Sequence, residues 1–241
     1  GGTWDLFRYP GIRSDSDMYT LGYSFKPWRQ AKAISDGPSI LKYLEETVRE
    51  EGIQDKVRFG HRVTAAAWDS NSARWLVTMR HAGNEVKLNC NFLHMCSGYY
   101  DYEEGFTPEF AGRDRFTGRI VHPQHWPADL DYRGKRVVVI GSGATAMTLV
   151  PTLARDARQV TMVQRSPTYV ISRPAEDRFA STLQRLLPPM LAYGIARWRN
   201  TLYHQMVFGL ARTWPGAVRR YLLARVRAQL DPGYDVATHF A

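Results

Sequence analysis

The sequence of 241 residues predicts an α/β fold that binds a dinucleotide. Three observations support this fold class. Residues 136–175 read as strand, helix and strand, with a glycine-rich turn after the first strand. Residues 57–98 contain three β-forming segments that are separated by turn sequences. Residues 178–230 have a helical composition with breaks at proline and glycine. An α/β domain with additional helices accounts for all three segments.

The glycine-rich turn has the pattern G-x-G-x-x-A and follows the short apolar strand Arg136–Ile140. Gly141 permits a tight turn, Gly143 lets the backbone approach a pyrophosphate, and Ala146 lets the following helix pack on the strand. The amide groups at the start of that helix then face the phosphates. The residues of this predicted phosphate-binding turn are Gly141, Ser142, Gly143, Ala144, Thr145 and Ala146.

The end of the second strand, Gln159–Gln164, distinguishes NADPH from NADH. A site for NADH would place Asp or Glu about 20 residues beyond the glycines, where it binds the ribose 2′-hydroxyl. This sequence has Arg165 and Ser166 there instead. Arg165 can pair with a 2′-phosphate through charge-assisted hydrogen bonds, and Ser166 adds a hydroxyl. The sequence therefore predicts NADPH, and a merely solvated Arg165 is the alternative.

Two further local patterns predict secondary structure. A helix is expected to begin after an Asp36 cap, with Pro38 in its first turn, and to end at Gly52. The third β segment ends in an apolar run before Ser97-Gly98, which predicts a buried strand. The three expected β segments are Val57–Trp68, Ala73–Arg80 and Glu85–Cys96.

The net charge of +9 lies in one segment of the chain. Residues 178–230 contain nine arginines with no lysine and no acidic residue, whereas the rest of the chain holds 23 basic and 23 acidic residues. A protein that binds nucleic acid more often spreads its positive charge over the binding face, so we expect no nucleic-acid partner. A solvated helical face is the simplest interpretation, and peripheral contact with an anionic membrane surface is the alternative. The apolar side chains of that face would be Leu183, Leu186, Leu187, Met190, Leu191 and Ile195.

The two cysteines and the ends of the chain bear on its compartment. Cys90 and Cys96 have no metal-ligand spacing, and their apolar surroundings predict buried strand cysteines. The chain opens without an initiator Met or a signal peptide. No uninterrupted apolar stretch approaches the ~20 residues that span a bilayer. We therefore expect a cytoplasmic protein and a piece of a longer chain.

Residues 116–127 carry the pattern F-x-G-x-x-x-H-x-x-x-W-P. Considered as chemistry alone, His122, His125 and Trp126 have no cysteine or paired carboxylate to complete a metal site. As a complete pattern, the segment resembles the fingerprint of the Baeyer–Villiger monooxygenases, flavin enzymes related to the flavin-containing monooxygenases. Residues 1–15 are similar to the segment of that family that lies along FAD, and the resemblance covers essentially the whole chain.

The resemblance implies a flavoprotein with two Rossmann-like domains, one for FAD and one for NADPH, and a helical insertion. Residues 1–133 would form a partial FAD domain, without its N-terminal glycine motif, that ends in the fingerprint loop 116–127. Residues 134–177 would form the NADPH unit, and residues 178–241 a truncated basic helical insertion. The chain would therefore be incomplete at both ends, and we expect it to be inactive by itself.

The resemblance also assigns roles to individual residues. Asp15 would lie beside the flavin ring, and His122 and Trp126 would orient the connection between the two nucleotide domains; these three are the candidate catalytic residues. Arg13 and Ser14 would face the nicotinamide together with Asp15. The further candidates for cofactor binding are Thr3 and Trp4 at the flavin, the backbone of Val63 at the adenine of FAD, and Met147 at NADPH.

The activity that the resemblance implies is a flavin-dependent monooxygenation. NADPH would reduce FAD, and reduced flavin would react with O₂ to give a flavin peroxide. A small-molecule ketone would be converted to an ester or lactone, or a soft sulfur or nitrogen centre would be oxygenated. The alternatives are an NADPH-dependent flavoprotein reductase or oxidase and a non-enzymatic membrane-binding module. A flavin disulfide reductase would need C-x-x-C or C-x₄-C, which Cys90 and Cys96 do not form. The sequence leaves the oligomeric state open.

Overall fold

A computed structural model describes residues 1–240. The chain divides into two compact units, of which the first comprises Gly1–Tyr43 with Gly105–Ala241 and the second, called the meander unit here, comprises Leu44–Glu104. The helices are α1 (Thr3–Leu6), α2 (Met18–Leu21), α3 (Gly37–Glu50), α4 (Ala144–Leu153), α5 (Arg178–Leu186), α6 (Pro189–Thr213), α7 (Pro215–Arg227) and α8 (Val236–Phe240). The strands are β1 (Arg62–Asp69), β2 (Arg74–His81), β3 (Asn84–Cys90), β4 (Arg136–Ile140) and β5 (Gln159–Val163). Across the described residues, no helix is both long and apolar enough to cross a membrane.

The predicted strand–helix–strand unit is confirmed in the first unit. Strands β4 and β5 pair in parallel from Arg136 opposite Gln159 to Ile140 opposite Val163, and α4 connects them. Parallel strands end at the same edge of a sheet, so the turn after β4 and the chain after β5 leave the sheet on one side. This edge is where the sequence places the dinucleotide.

The meander unit contains the three predicted β segments as an antiparallel sheet in the order β1-β2-β3. The hairpin between β2 and β3 closes through Ala82 and Gly83, whose φ angles of 48° and 81° suit the right-handed twist of the flanking strands. The α3 helix also follows its prediction, because the Asp36 carboxylate accepts a hydrogen bond from the Ser39 amide at 3.0 Å.

The chain after β3 differs from its prediction as a buried strand. β3 ends at Cys90, and the side chains of Phe92 and Met95 are 80% and 68% exposed. Cys90 is half-buried and Cys96 is exposed, so the prediction of buried strand cysteines was wrong. An apolar strand is buried only when neighbouring strands and helices cover it. No strand among residues 1–240 pairs with residues 91–98.

Helix α6 departs from the usual pattern of a surface helix, in which the large apolar side chains are buried. Its buried side chains are those of Ala192, Tyr193, Ala196 and Asn200. Large apolar side chains stand exposed on the opposite face at a spacing of three or four residues: Leu191, Ile195, Trp198, Leu202 and Met206. The expectation that all nine arginines face solvent was wrong for Arg197 and Arg199. Arg197 bonds to backbone carbonyls of another segment, and Arg199 pairs with a carboxylate outside α6.

Candidate functional site

The turn after β4 has the geometry of a phosphate-binding loop. Gly141 has a φ of 122°, which side chains other than hydrogen rarely allow, and its amide donates to the Val163 carbonyl at 2.8 Å. Gly143 is the N-cap residue of α4, and no side chain caps the amides of the first turn of this helix. A Cβ on Gly143 would meet no atom within 4 Å, so the space in front of the helix is open. Ala146 is buried against the sheet side of α4. Open space and uncapped amides suit a pyrophosphate.

The chain that follows β5 lies beside this turn. The Ser142 and Thr168 hydroxyl oxygens are 3.3 Å apart, which places the segment after Ser166 next to the glycine turn. Arg165 and Ser166 are exposed, and Arg165 makes no hydrogen bond or ion pair with any described residue. Its guanidinium is therefore available to an anion. The contribution of Arg165 and Ser166 to cofactor binding stays a prediction.

Residues 1–15 form a second part of the candidate site. Thr3 and Trp4 lie in α1, and Trp4 faces a cleft of about 280 Å³. Arg13 and Asp15 are exposed, whereas Ser14 is 2% exposed and its hydroxyl accepts a hydrogen bond from the Ser35 amide at 3.0 Å. Ser14 therefore fixes the backbone of this segment. The cleft is lined by Trp4, Phe7, Arg8, Tyr9, Gly11, Ile12, Asp36, Gly37 and Pro38.

Gly11 joins this segment to helix α4. Its φ is 76°, and a Cβ at this position would overlap the Thr152 hydroxyl and stand 3.3 Å from the Thr148 carbonyl oxygen. No other residue can approach the helix so closely in this conformation. Helix α4 thus carries the glycine turn at its N-terminus and the segment around Gly11 near its C-terminus. The two predicted cofactor segments are brought together on one helix. Val63 lies in β1 of the meander unit.

The fingerprint loop is ordered by contacts within the loop and with residues on either side of it. The His122 ring occupies the place of a side chain on Gly105, and its Nδ1 accepts a hydrogen bond from the Gln124 amide at 3.3 Å. The Trp126 ring packs edge-on against Tyr132, with 6.3 Å between ring centroids. These contacts agree with a role for His122 and Trp126 in orienting the loop, which stays a prediction. Residues 1–240 contain no group of three or more His, Cys, Asp or Glu side chains that could hold a metal ion.

A polar cluster between α2, α5 and α6 lies beside the Arg13–Asp15 segment. Burial and the nearby carboxylates of Asp177 and Asp17 raise the pKa of Tyr19 to about 12. Burial alone would raise the pKa of Asp177, but its hydrogen bonds from Arg199 and the Ala180 amide outweigh burial and lower that pKa. A cleft of about 470 Å³ opens at this cluster, and its lining includes Asp17, Arg173, Glu176, Asp177, Arg178 and Asn200.

Several residues that complete these arrangements could not be identified from the sequence. Asn200 bonds to Asp17 across 183 residues, and Thr168 approaches Ser142 across 26 residues. No local pattern marks such a pair. The spacing Asp17-x-x-Thr20 is the one local pattern that could have indicated the role of Asp17, because it is typical of a helix N-cap.

Comparison with known proteins identifies the relatives of the chain. The model of the family described as "FMO-like: Flavin-binding monooxygenase-like" matches residues 34–206. The chain is 53% identical over 241 residues to the FAD-containing monooxygenase EthA of Mycobacterium tuberculosis, covering 100% of this chain and 49% of EthA. It is 47% identical over 242 residues to the probable FAD-binding monooxygenase AlmA of Acinetobacter baylyi, covering 100% of this chain and 48% of AlmA. The chain thus spans about half the length of the curated relatives it matches.

Solved structures give the same result for the fold. An oxidized steroid monooxygenase bound to NADP superposes with a TM-score of 0.63 and 36% identity, over 77% of this chain and 36% of that protein. The cyclohexanone monooxygenase from Rhodococcus sp. Phi1 bound to NADP⁺ gives a TM-score of 0.61 and 28% identity, over 77% of this chain and 35% of that protein. These matches confirm the predicted α/β flavoprotein fold and the resemblance drawn from residues 116–127.

The open space at Gly143 makes a prediction about dinucleotide binding. In the whole protein, Gly143→Thr should leave the free energy of unfolding within about 0.5 kcal/mol of the original, because Thr and Gly are similar N-cap residues. The affinity for NADP⁺, measured by calorimetry, should fall at least about tenfold, because the added side chain occupies the approach of the pyrophosphate. Gly233→Thr, at a remote turn with equally open space, is the matched control. Unchanged affinity in Gly143→Thr would place the dinucleotide elsewhere.

Proposed function

Because the chain belongs to the flavin-binding monooxygenase-like family, we propose that the whole protein uses FAD and NADPH to transfer one oxygen atom of O₂ to a small organic substrate. The observation that carries the proposal is the turn at Gly143, with its uncapped amides and open space, beside the unpaired Arg165. FAD, when bound, supplies the activation of O₂, and the protein supplies binding, orientation and exclusion of water.

The residues present suit both cofactors. At the NADPH site, the amides at the start of α4 would hold the pyrophosphate, with Gly141–Met147 as its cradle. Arg165 and Ser166 would hold the 2′-phosphate. On the flavin side, Thr3 and Trp4 would line the ring system through the cleft at Trp4.

Arg13 and Asp15 bring one positive and one negative charge to the place where the flavin and nicotinamide would meet. Their exposure in the structure leaves both side chains open to the cofactors. Ser14 would act by holding their backbone, since its own hydroxyl is bonded to Ser35. In the meander unit, the backbone of Val63 would meet the adenine of FAD.

The substrate class is the finer part of the proposal. Solved relatives include a steroid monooxygenase and a cyclohexanone monooxygenase. We infer a ketone substrate that is converted to an ester or lactone, with soft sulfur or nitrogen centres as second substrates. The domain limits 1–133, 134–177 and 178–241 belong to the same proposal.

Product analysis tests this activity. The whole protein should show a flavin absorbance band that NADPH bleaches without oxygen, and readmitted air should restore it with formation of an ester, lactone or sulfoxide. The products are measured by gas chromatography over a panel of cyclic ketones and thioethers. NADPH consumption that yields hydrogen peroxide alone with every substrate would favour the oxidase alternative. A flavin that NADPH does not bleach would contradict the proposal.

Arg165 should determine the choice between the two nicotinamide cofactors. Arg165→Ala should raise the KM for NADPH about tenfold or more, because hydrogen bonds between charged groups contribute roughly 1.5–3 kcal/mol. The KM for NADH should stay within about twofold, because NADH has no 2′-phosphate. Arg155→Ala removes another exposed arginine at the opposite end of α4 and is the control. Equal increases for NADPH and NADH would exclude the role of Arg165.

We propose a second, separate property for the helical segment 178–230, namely peripheral contact of a cytoplasmic protein with anionic lipid. The exposed apolar face of α6 and the excess of arginine in this segment support it. The whole protein should sediment with vesicles of mixed neutral and anionic phospholipid more than with neutral vesicles. Trp198→Ser, which removes a side chain that is 68% exposed, should weaken this sedimentation several-fold. Sedimentation that does not depend on anionic lipid would contradict this proposal, and the apolar face of α6 would then contact solvent or another protein surface.

A further inference from the structure

One face of α6 carries polar side chains that all contact residues 17–23. These side chains are Tyr193, Arg197, Asn200 and His204, and their spacing of four, three and four residues places them in one row. The row lies opposite the exposed apolar face of the helix. Buried Ala192 and Ala196 stand beside the row and let the helix approach α2 closely. Helix α6 therefore contacts the α2 segment mainly through hydrogen bonds.

The most deeply buried contact in the row joins Asn200 to Asp17. Both side chains are about 95% buried, and the Asn200 Nδ2 donates to Asp17 Oδ1 at 2.8 Å. The same Oδ1 accepts from the Thr20 amide at 2.9 Å, so Asp17 caps α2 while it bonds to α6. The Asp17 Oδ2 lies 3.7 Å from His204 Nε2. The buried carboxylate thus has two of its partners on α6.

Asn200 is itself fixed in orientation. Its Oδ1 accepts from Arg199 Nε at 3.0 Å and from Arg199 Nη2 at 2.7 Å. Arg199 is paired with Asp177, the N-cap of α5. The Asn200 amide can therefore present only its NH₂ group to Asp17. This chain of contacts runs from α5 through α6 to the start of α2.

Helix α6 also holds the other end of α2. Arg197 Nη1 donates to the carbonyl oxygens of Tyr19 at 2.9 Å and Gly22 at 2.7 Å. The Tyr193 hydroxyl donates to the Tyr23 carbonyl oxygen at 3.0 Å. Both ends of the α2 segment are thus bonded to one helix, although 170 or more residues separate the partners.

The Arg13–Asp15 segment enters α2 directly. Ser14 is bonded to Ser35, and Asp17 is bonded to Asn200, so two buried anchors bracket Asp15. Only Ser16 separates Asp15 from the second anchor. With two adjacent anchors, the backbone of Asp15 has little freedom to move. Releasing the Asp17 anchor would free the backbone of Asp15, whereas Arg13 stays held by the bonds of Ser14 and by its bridge to Asp36.

We propose that Asn200 is a positioning residue: through Asp17 it holds Asp15 in the conformation that receives the cofactors, so that the helical segment sets the competence of the redox site. The proposal rests on the proposed function, which places Arg13 and Asp15 at the flavin and nicotinamide. If only a fraction of molecules keeps the held conformation, the apparent affinity for the cofactor falls by that fraction.

Hydrogen exchange combined with cofactor binding tests this coupling in the FAD-loaded whole protein. Asn200→Asp keeps the shape of the side chain but sets a carboxylate against the Asp17 carboxylate. The amides of residues 15–23 should exchange about tenfold faster, and the Kd for NADP⁺ should rise by a similar factor. Peptides from β1–β3 should exchange at the original rate, which shows that the fold is intact.

Two further variants make the test decisive. Gln205→Glu makes the same amide-to-carboxylate change on the exposed side of α6 and should change neither quantity. Asn200→Ser removes the contact without adding charge and should give the same signature more weakly, which covers the case in which Asn200→Asp does not fold. Unchanged exchange of residues 15–23 would overturn the proposal, as would faster exchange with unchanged NADP⁺ affinity. An unmodified protein that does not bind NADP⁺ would instead overturn the proposed function, and the exchange data would then still test the anchor.

Discussion

The close approach of Gly11 to helix α4 is the contact on which the candidate site depends. The helix begins at the open glycine turn, and it is contacted near its other end by the segment that carries Trp4, Arg13 and Asp15. A Cβ at Gly11 would overlap Thr152, so the separation of segment and helix is set by the absence of a side chain. The same contact also sets how far this segment lies from the glycine turn. Under the proposed function the segment lines the flavin, and hydride transfer between two cofactors needs such a fixed distance.

Helix α6 adds a second constraint of a different kind. Its inward face combines two small alanines with polar side chains, and its large apolar side chains lie on the outward face, so burial of large apolar side chains does not determine its rotation about its own axis. Hydrogen bonds from Arg197 and Asn200 to the α2 segment determine it instead. A buried polar group that loses its partner costs about 1–3 kcal/mol, so a rotated helix would be penalised at each of these positions. Directional contacts of this type specify one arrangement more strictly than apolar packing does.

The sequence predicted what neighbouring residues determine. The Asp36 cap, the three strands of the meander unit and the glycine turn each rest on residues a few positions apart, and each is confirmed. Residues 91–98 failed because the burial of an apolar strand depends on covering elements that its own residues do not reveal. The bond between Asp17 and Asn200 was beyond prediction for the same reason, since 183 residues lie between them. The complete F-x-G-x-x-x-H-x-x-x-W-P pattern identified the family, although the contact of His122 with Gly105 could not be read from the pattern itself.

The arginines of the first unit separate into those with partners and those without. Arg199 is paired with Asp177, and Arg197 donates to backbone carbonyls, so both serve the internal structure despite lying in the basic segment. The number of arginines in the basic segment therefore overstates how many are free to bind an anionic partner. Arg165 lies outside that segment, at the sheet edge beside the glycine turn, and no described residue neutralises it. Other arginines of the basic segment are also without a described carboxylate partner, but Arg165 lies beside uncapped helix amides, and the guanidinium and the amides together attract a phosphate. The position of the Arg165 charge, more than the net charge of the chain, favours a phosphorylated dinucleotide as the ligand.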